Sequence, residues 1–221
     1  MTTDLSGKTI ILTGAFGRLG RTLTRRLLDD GATVAGIDRH TADPVVDSDC
    51  LHLFKADVSD GGEVEAVFAQ IQDAVGPADG LVHTVGMWDG QPFAETPLED
   101  WETMLRVNLT STFLCFRAAA RQMQEAGGRL VGIASRQGAD RGVAQQAAYS
   151  ASKAGLVRIV EAIAAEYDGQ ITAAAVAPST ILFGRDGDGV SAERIAALCA
   201  YLCTDEGAVH NGTVLRAYGT G

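Results

Sequence analysis

Residues 8 to 38 constrain this chain more than any other stretch. Lys8 to Thr13 (K-T-I-I-L-T) is a short apolar run that stops at Gly14, as a buried strand does. Leu19, Leu23, Leu27 and Leu28 then recur at helical spacing up to Gly31, and Ala32 to Asp38 is a second apolar run. Strand, glycine turn, helix and strand in about thirty residues make a βαβ unit, whose two strands run parallel. The alternation continues to the end of the chain. Leu51 to Ala56, Gly80 to Val85, Arg129 to Ala134, Ile171 to Ala177 and Thr213 to Ala217 read as strands. Gly62 to Val75, Leu98 to Glu125, Gln146 to Tyr167 and Ala192 to Leu202 read as helices. The pattern predicts an α/β fold, a doubly wound parallel sheet of about seven strands flanked by helices. No linker or shift of composition interrupts it, so residues 1 to 221 read as one domain.

Charge and cysteine usage narrow the partners. A formal net charge of −10 argues against nucleic acid or an anionic membrane, and the arginines are scattered rather than clustered. No apolar run reaches membrane-spanning length, and Met1 to Lys8 is polar, with no signal peptide. Cys50, Cys115, Cys199 and Cys203 form no C-x-x-C pair; small buried thiols in a reducing cytoplasm are expected. His83 has no carboxylate or histidine partner at ligand spacing, and no metal site is expected.

Two stretches carry chemistry. Gly14, Gly17 and Gly20 fall between the first strand and the first helix, where glycine permits a tight turn and lets amides approach a pyrophosphate. Asp38, at the end of the second strand, stands where an acid accepts hydrogen bonds from an adenosine ribose and repels a 2′-phosphate. NAD(H) is therefore the preferred cofactor, although Arg18 or Arg39 could reach a phosphate and NADP(H) stays open. The second stretch holds Tyr149 and Lys153, four residues apart on one predicted helix and so on one face, with Ser135 upstream. A nearby ammonium favours the ionised phenol, and lowering a phenol pKa from about 10 to about 7 takes roughly 4 kcal/mol. Such a tyrosine can exchange a proton with a hydroxyl or carbonyl oxygen, which Ser135 could hold. Trp101, Met104, Leu105 and Thr112 share a helical face with Asn108, placing an amide toward the core, where it needs partners.

Together these residues resemble the short-chain dehydrogenase/reductase family over nearly the whole chain, which implies a Rossmann-like fold. T-G-A-F-G-R-L-G is similar to its glycine-rich turn, here with the TGxxGxxG spacing of its extended members, and implies cofactor contacts at Gly14, Gly17, Arg18 and Leu19. A-D-V-S resembles the segment in which Asp57 would face the adenine amine and Val58 its ring. L-V-H-T-V-G stands where the family has an LVNNAG-like strand end. His83 and Thr84 replace both asparagines, so contacts there rest on backbone at Thr84, Val85 and Gly86. By the same resemblance Asn108 helps hold a water beside the lysine, Ser135 is the catalytic serine, Tyr149 the acid/base, and Lys153 binds the nicotinamide ribose. Pro178, Ser179, Thr180 and Ile181 correspond to the segment beside the nicotinamide.

The resemblance implies an oxidoreductase that passes a hydride between NAD(P)(H) and a small carbonyl or alcohol, assembled as a homodimer or homotetramer. A catalytically silent dinucleotide-binding regulatory or scaffold protein is the alternative, motivated by the altered His83–Thr84 pair and by a short substrate loop near 179–190. That loop, F-G-R-D-G-D-G-V, is rich in glycine and charge and reads as mobile. Gly86 to Phe93, Arg136, Gln137, Arg141 and Phe183 are the expected pocket residues, with Trp88 in the core or an interface as the other reading.

Overall fold

The computed structural model describes residues 3–40, 44, 46–184 and 186–219. Seven parallel strands form one sheet: β1 (Thr9–Thr13), β2 (Thr33–Asp38), β3 (Leu51–Lys55), β4 (Gly80–His83), β5 (Gly128–Ile133), β6 (Ile171–Pro178) and, numbered ninth along the chain, β9 (Val214–Ala217). Their order is β3-β2-β1-β4-β5-β6-β9. From β1 the chain winds outward to β2 and β3, then returns to the other side of β1 with β4. That reversal opens a crevice beyond the carboxyl ends of β1 and β4, where ligands bind in open α/β sheets.

Helices α1 (Arg18–Asp29), α2 (Gly61–Val75), α3 (Leu98–Leu105), α4 (Ser111–Gln122), α5 (Arg136–Ala139), α6 (Ala147–Glu166) and α7 (Ala192–Leu202) connect the strands. Parallel strands covered on both faces bury both sets of side chains. All five residues of β1 and all eight of β6 are buried accordingly. Two apolar cores result. Leu19, Leu23 and Leu27 of α1 pack with Ile195 and Cys199 of α7 against one face of the sheet. On the other face Val64 and Phe68 of α2, Phe116 of α4 and Leu156 and Val160 of α6 meet Ile11, Leu81 and Leu130. Burying each such side chain contributes about 1.5–3 kcal/mol. Sequence signals fix the helix starts: the Asp60 carboxylate accepts the Glu63 amide proton at 2.9 Å before α2, and the Ser191 hydroxyl that of Arg194 at 3.3 Å before α7.

The departures from expectation are local. The helix expected from Leu98 to Glu125 is broken by a π-helical turn over Arg106–Thr110 and ends at Gln122. The strand expected to reach Val85 stops at His83. The loop near 179–190 contains two short paired strands, β7 (Ile181–Leu182) and β8 (Val190–Ser191). Cys50 is exposed, whereas Cys115, Cys199 and Cys203 are buried as expected. Trp88 is 61% exposed, so it is not a core residue. Among the described residues no helix is long and apolar enough to cross a membrane, and no cluster of three or more His, Cys, Asp or Glu could hold a metal ion.

Candidate active site

A cleft of about 850 Å³ lies at the switch point. Its walls include Gly14, Gly17, Arg18, Leu19, Asp38, Arg39, Asp57, Val58, Thr84, Val85 and Gly86, the expected dinucleotide contacts of the first half of the chain. The glycines are there for space. Gly14 has φ +71°, a left-handed conformation, and a β-carbon on it would lie 2.7 Å from Thr84 Oγ1. A β-carbon on Gly20 would overlap the Gly14 carbonyl oxygen and lie 2.9 Å from the Gly14 carbonyl carbon, so α1 sits hard against the turn. Gly17 precedes α1 with no side-chain cap and no acid in the first turn. That leaves first-turn amides without a side-chain cap at the wall of the cleft, beside Arg18.

Asp38 ties this turn to β2: its Oδ2 accepts the Phe16 amide proton at 3.0 Å and its Oδ1 that of His40 at 3.3 Å. A carboxylate has about four lone-pair directions, so capacity for ribose hydroxyls remains. Asp57 Oδ1 accepts from the Ser59 amide and hydroxyl at 2.9 and 2.7 Å, which holds its carboxyl below the usual range; Arg39 and Arg106 add to the effect. Thr103, Arg106, Val107 and Phe183 also line the cleft, unforeseen as cofactor contacts. The Arg18 guanidinium stacks 4.1 Å over the Phe183 ring, so the segment after β7 reaches across the cleft mouth. Nothing in the sequence pairs residues 165 positions apart, though an aromatic in a polar loop was a hint.

Gly86 joins this cleft to the catalytic candidates. A β-carbon there would lie 3.0 Å from Lys153 Nζ and 3.2 Å from Asn108 Oδ1, so a side chain at this position would crowd both groups where they approach the cleft floor. Asn108 is fully buried in the π turn. Its Oδ1 accepts the Met87 amide proton at 2.7 Å, and its Nδ2 donates to the Met87 carbonyl at 2.9 Å and to Ser152 Oγ at 3.0 Å. The Ser152 hydroxyl donates in turn to the Tyr149 carbonyl at 2.8 Å. Asn108 thereby clamps the segment after β4 to the first turn of α6. π turns concentrate at functional sites because the widened turn re-aims a side chain.

Ser135 lies one residue beyond the expected strand and caps α5, its Oγ accepting the Gly138 amide proton at 3.1 Å. Burial raises the Tyr149 phenol pKa and outweighs the downward pull of the nearby Ser135 hydroxyl. This corrects the expectation of a phenol acidified by Lys153. The Lys153 ammonium donates instead to the Ile133 carbonyl at 2.8 Å, and burial pulls its own pKa down to about 8.

The segment from Pro178 to Ile181, with Tyr149 and Lys153, lies outside the lining of the large cleft. Pro178 ends β6 and Ile181 begins β7, while the Ser179 hydroxyl donates to the Tyr218 carbonyl at 2.8 Å. Nor do the expected pocket residues form one pocket. Met87, Asp89, Gly90 and Gln91 line a cavity of about 50 Å³ with Thr103, Met104 and Gln146, room for a few waters only. Arg136, Gln137 and Arg141 line another cavity of about 450 Å³ with Asp140 and Val143. Phe183 belongs to the large cleft.

The chain belongs to the short chain dehydrogenase family, whose model matches residues 8–186, and it is an oxidoreductase of that family. Among its relatives, a D-threitol dehydrogenase from Mycolicibacterium smegmatis is 29% identical over 96% of this chain and 91% of its own length. A short-chain type dehydrogenase/reductase from Picea abies is 31% identical over 97% of this chain and 92% of its own. A solved short chain dehydrogenase from Mycobacterium smegmatis superposes with a TM-score of 0.88 at 29% identity, covering 99% of this chain and 95% of that one.

Proposed function

We propose that this protein transfers a hydride between a nicotinamide dinucleotide and a small carbonyl or alcohol, with Tyr149 as acid/base. The observation that carries the reading is the convergence at Gly86. The cleft floor there meets Lys153 and Asn108, Asn108 is linked through Ser152 to the Tyr149 backbone, and the Ser135 hydroxyl stands near enough to Tyr149 to act on its phenol.

The residues present fit a dinucleotide. Gly14, Gly17 and Gly20 leave a cradle that β-carbons would fill, and the uncapped start of α1 suits a pyrophosphate. Asp38, Asp57 and Val58 would hold the adenosine half, and Thr84, Val85, Gly86 and Lys153 the other. Pro178 to Ile181 complete the set by resemblance. When bound, the cofactor supplies or accepts the hydride. The carboxylate of Asp38 favours NAD(H) over NADP(H), with Arg39 and Arg18 the groups that would oppose it.

Ser135 and Tyr149 would share the substrate oxygen. Ser135 Oγ accepts the Gly138 amide proton, and its O–H, which acts on Tyr149, is the group that would turn to the substrate oxygen. A phenol whose pKa is raised stays protonated at neutral pH, a state suited to giving its proton to a carbonyl being reduced. Lys153, with a pKa near 8, would return that proton, and Asn108, through Ser152, holds the backbone at Tyr149.

Replacing Tyr149 by Phe tests this. In a screen of carbonyls and alcohols against NADH and NAD, kcat should fall by about a hundredfold or more while NADH affinity stays within about twofold. Unchanged turnover in Tyr149→Phe removes the mechanism. A wild-type protein that binds NADH and turns over nothing favours the scaffold alternative.

A further inference from the structure

His83 is the one buried histidine of the described residues, 1% exposed at the end of β4. Both ring nitrogens are engaged: Nδ1 lies 2.9 Å from Thr13 Oγ1 on β1, and Nε2 lies 3.1 Å from Ser111 Oγ at the start of α4. The partners decide the tautomer. Ser111 donates its only hydroxyl proton to the Val107 carbonyl at 2.5 Å, so toward His83 it can only accept. Nε2 must therefore carry the proton, and Nδ1 accepts from the Thr13 hydroxyl. Thr13 Oγ1 in turn accepts the Thr84 amide proton at 3.2 Å. A directed chain results: Thr84 N–H to Thr13, Thr13 O–H to His83, His83 N–H to Ser111, and Ser111 O–H to the Val107 carbonyl.

Both ends of this chain matter. Thr84 lines the dinucleotide cleft, and the Val107 carbonyl belongs to the peptide that enters Asn108. In the π turn the Ser111 amide reaches back to the Arg106 carbonyl, five residues away. That leaves neighbouring carbonyls short of their usual donors, and hydroxyls fill the gap: Ser111 at Val107, and Thr112 at Asn108 at 2.8 Å. The Phe116 ring packs against the imidazole in a T-shaped arrangement, with centroids 6.3 Å apart and planes at 79°.

We infer that His83 is a positioning residue: acting through Ser111, it sets the π turn that aims the Asn108 amide at Met87 and toward Lys153. Burial and the Lys153 ammonium push the imidazole pKa down to about 3, so the ring stays neutral and adds no second cation beside the lysine. The importance of Asn108 for turnover rests on the proposed oxidoreductase reading; the positioning itself does not.

The chain has two asparagines, Asn108 and Asn211, so selective 15N-asparagine labelling resolves two side-chain amides, an Asn211→Asp variant assigns them, and the third amide of His83→Asn is recognised by its absence from wild type. Solvent exchange of the Asn108 amide then reports its clamp with no substrate present. His83→Gln keeps a donor near the Nε2 position, and His83→Asn keeps only a group near Nδ1. His83→Asn and Ser111→Ala should each speed Asn108 exchange by about tenfold, and His83→Gln should stay within about twofold of wild type. Equal exchange in all four proteins, or loosening by His83→Gln as great as by His83→Asn, overturns the inference. Should His83→Asn not fold, Ser111→Ala and the wild-type ring decide. An Nδ1-protonated His83 in 15N-histidine spectra refutes the directed chain, and an Nε2-protonated ring with a loosened Asn108 in Ser111→Ala upholds it. An Asn108→Ala variant with undiminished turnover would instead count against a part for Asn108 in the proposed reaction, leaving the exchange result to stand.

Discussion

Lys153 offers a test that needs neither substrate nor cofactor. Its ammonium is buried, 5% exposed as a residue, and its pKa falls from 10.5 to about 8 because burial penalises the charge. In the unfolded chain the lysine keeps its proton up to 10.5; in the folded chain it releases it near 8. Between those values the unfolded state binds the extra proton, so stability rises with pH. The penalty is fully present below pH 8 and is relieved as pH climbs toward 10.5, by about 3 kcal/mol in all. Lys153→Met keeps much of the aliphatic stem and removes the titration. It also removes the 2.8 Å bond to the Ile133 carbonyl, but once the lysine is gone that loss adds no titrating group to the variant. The difference between the two pH profiles therefore isolates the lysine. Urea unfolding at pH 7, 8, 9 and 10 should show wild type gaining about 2–3 kcal/mol on the variant across that range. Parallel profiles would mean that Lys153 keeps its ordinary pKa in the folded state, and the argument from burial would fail.

Two further outcomes follow from the cleft. Gly20→Ala places a β-carbon into the Gly14 carbonyl, a backbone atom that cannot swing aside. Despite the helix propensity gained, it should destabilise by about 1–3 kcal/mol and lower Tm by several degrees, with NADH affinity reduced; a Tm at or above wild type by scanning calorimetry would show that α1 shifts freely. Asp38→Asn keeps an acceptor for the Phe16 amide and removes the charge. The ratio of NADPH to NADH affinity, read by nicotinamide fluorescence, should rise about tenfold, and an unchanged ratio would detach cofactor choice from Asp38.

Much of the architecture was legible in the chain. Alternating apolar runs and amphipathic segments are local signals, and crossovers between parallel strands have one hand, so a doubly wound sheet of about seven strands could be anticipated, whereas their order across the sheet came from the structure. The glycine turn was equally readable, because Gly14 and Gly20 answer to steric limits that few other residues meet. The helical spacing of Asn108 with Met104 and Thr112 correctly foretold a buried amide: its Nδ2 lies 3.1 Å from Met104 Sδ, and the Asn108 backbone carbonyl accepts from the Thr112 hydroxyl. The π turn that holds Asn108 has no local signature, since one residue of extra winding leaves the apolar period nearly unchanged.

What the sequence settled by itself was therefore the order of elements and the kinds of side chain brought to the carboxyl edge of the sheet. What only the tertiary structure decided was their electrostatic state. Tyr149 and Lys153 stand four residues apart in any helix. Whether the ammonium faces the phenol or the Ile133 carbonyl, and how much water either keeps, depends on the strands and loops packed over them. His83 makes the same point: a lone histidine in sequence becomes a neutral, singly oriented ring because Thr13 and Ser111 arrive from strand and helix 70 and 28 residues away. Periodicity and turn chemistry act between neighbours along the chain, whereas desolvation and hydrogen-bond direction are set by neighbours in space.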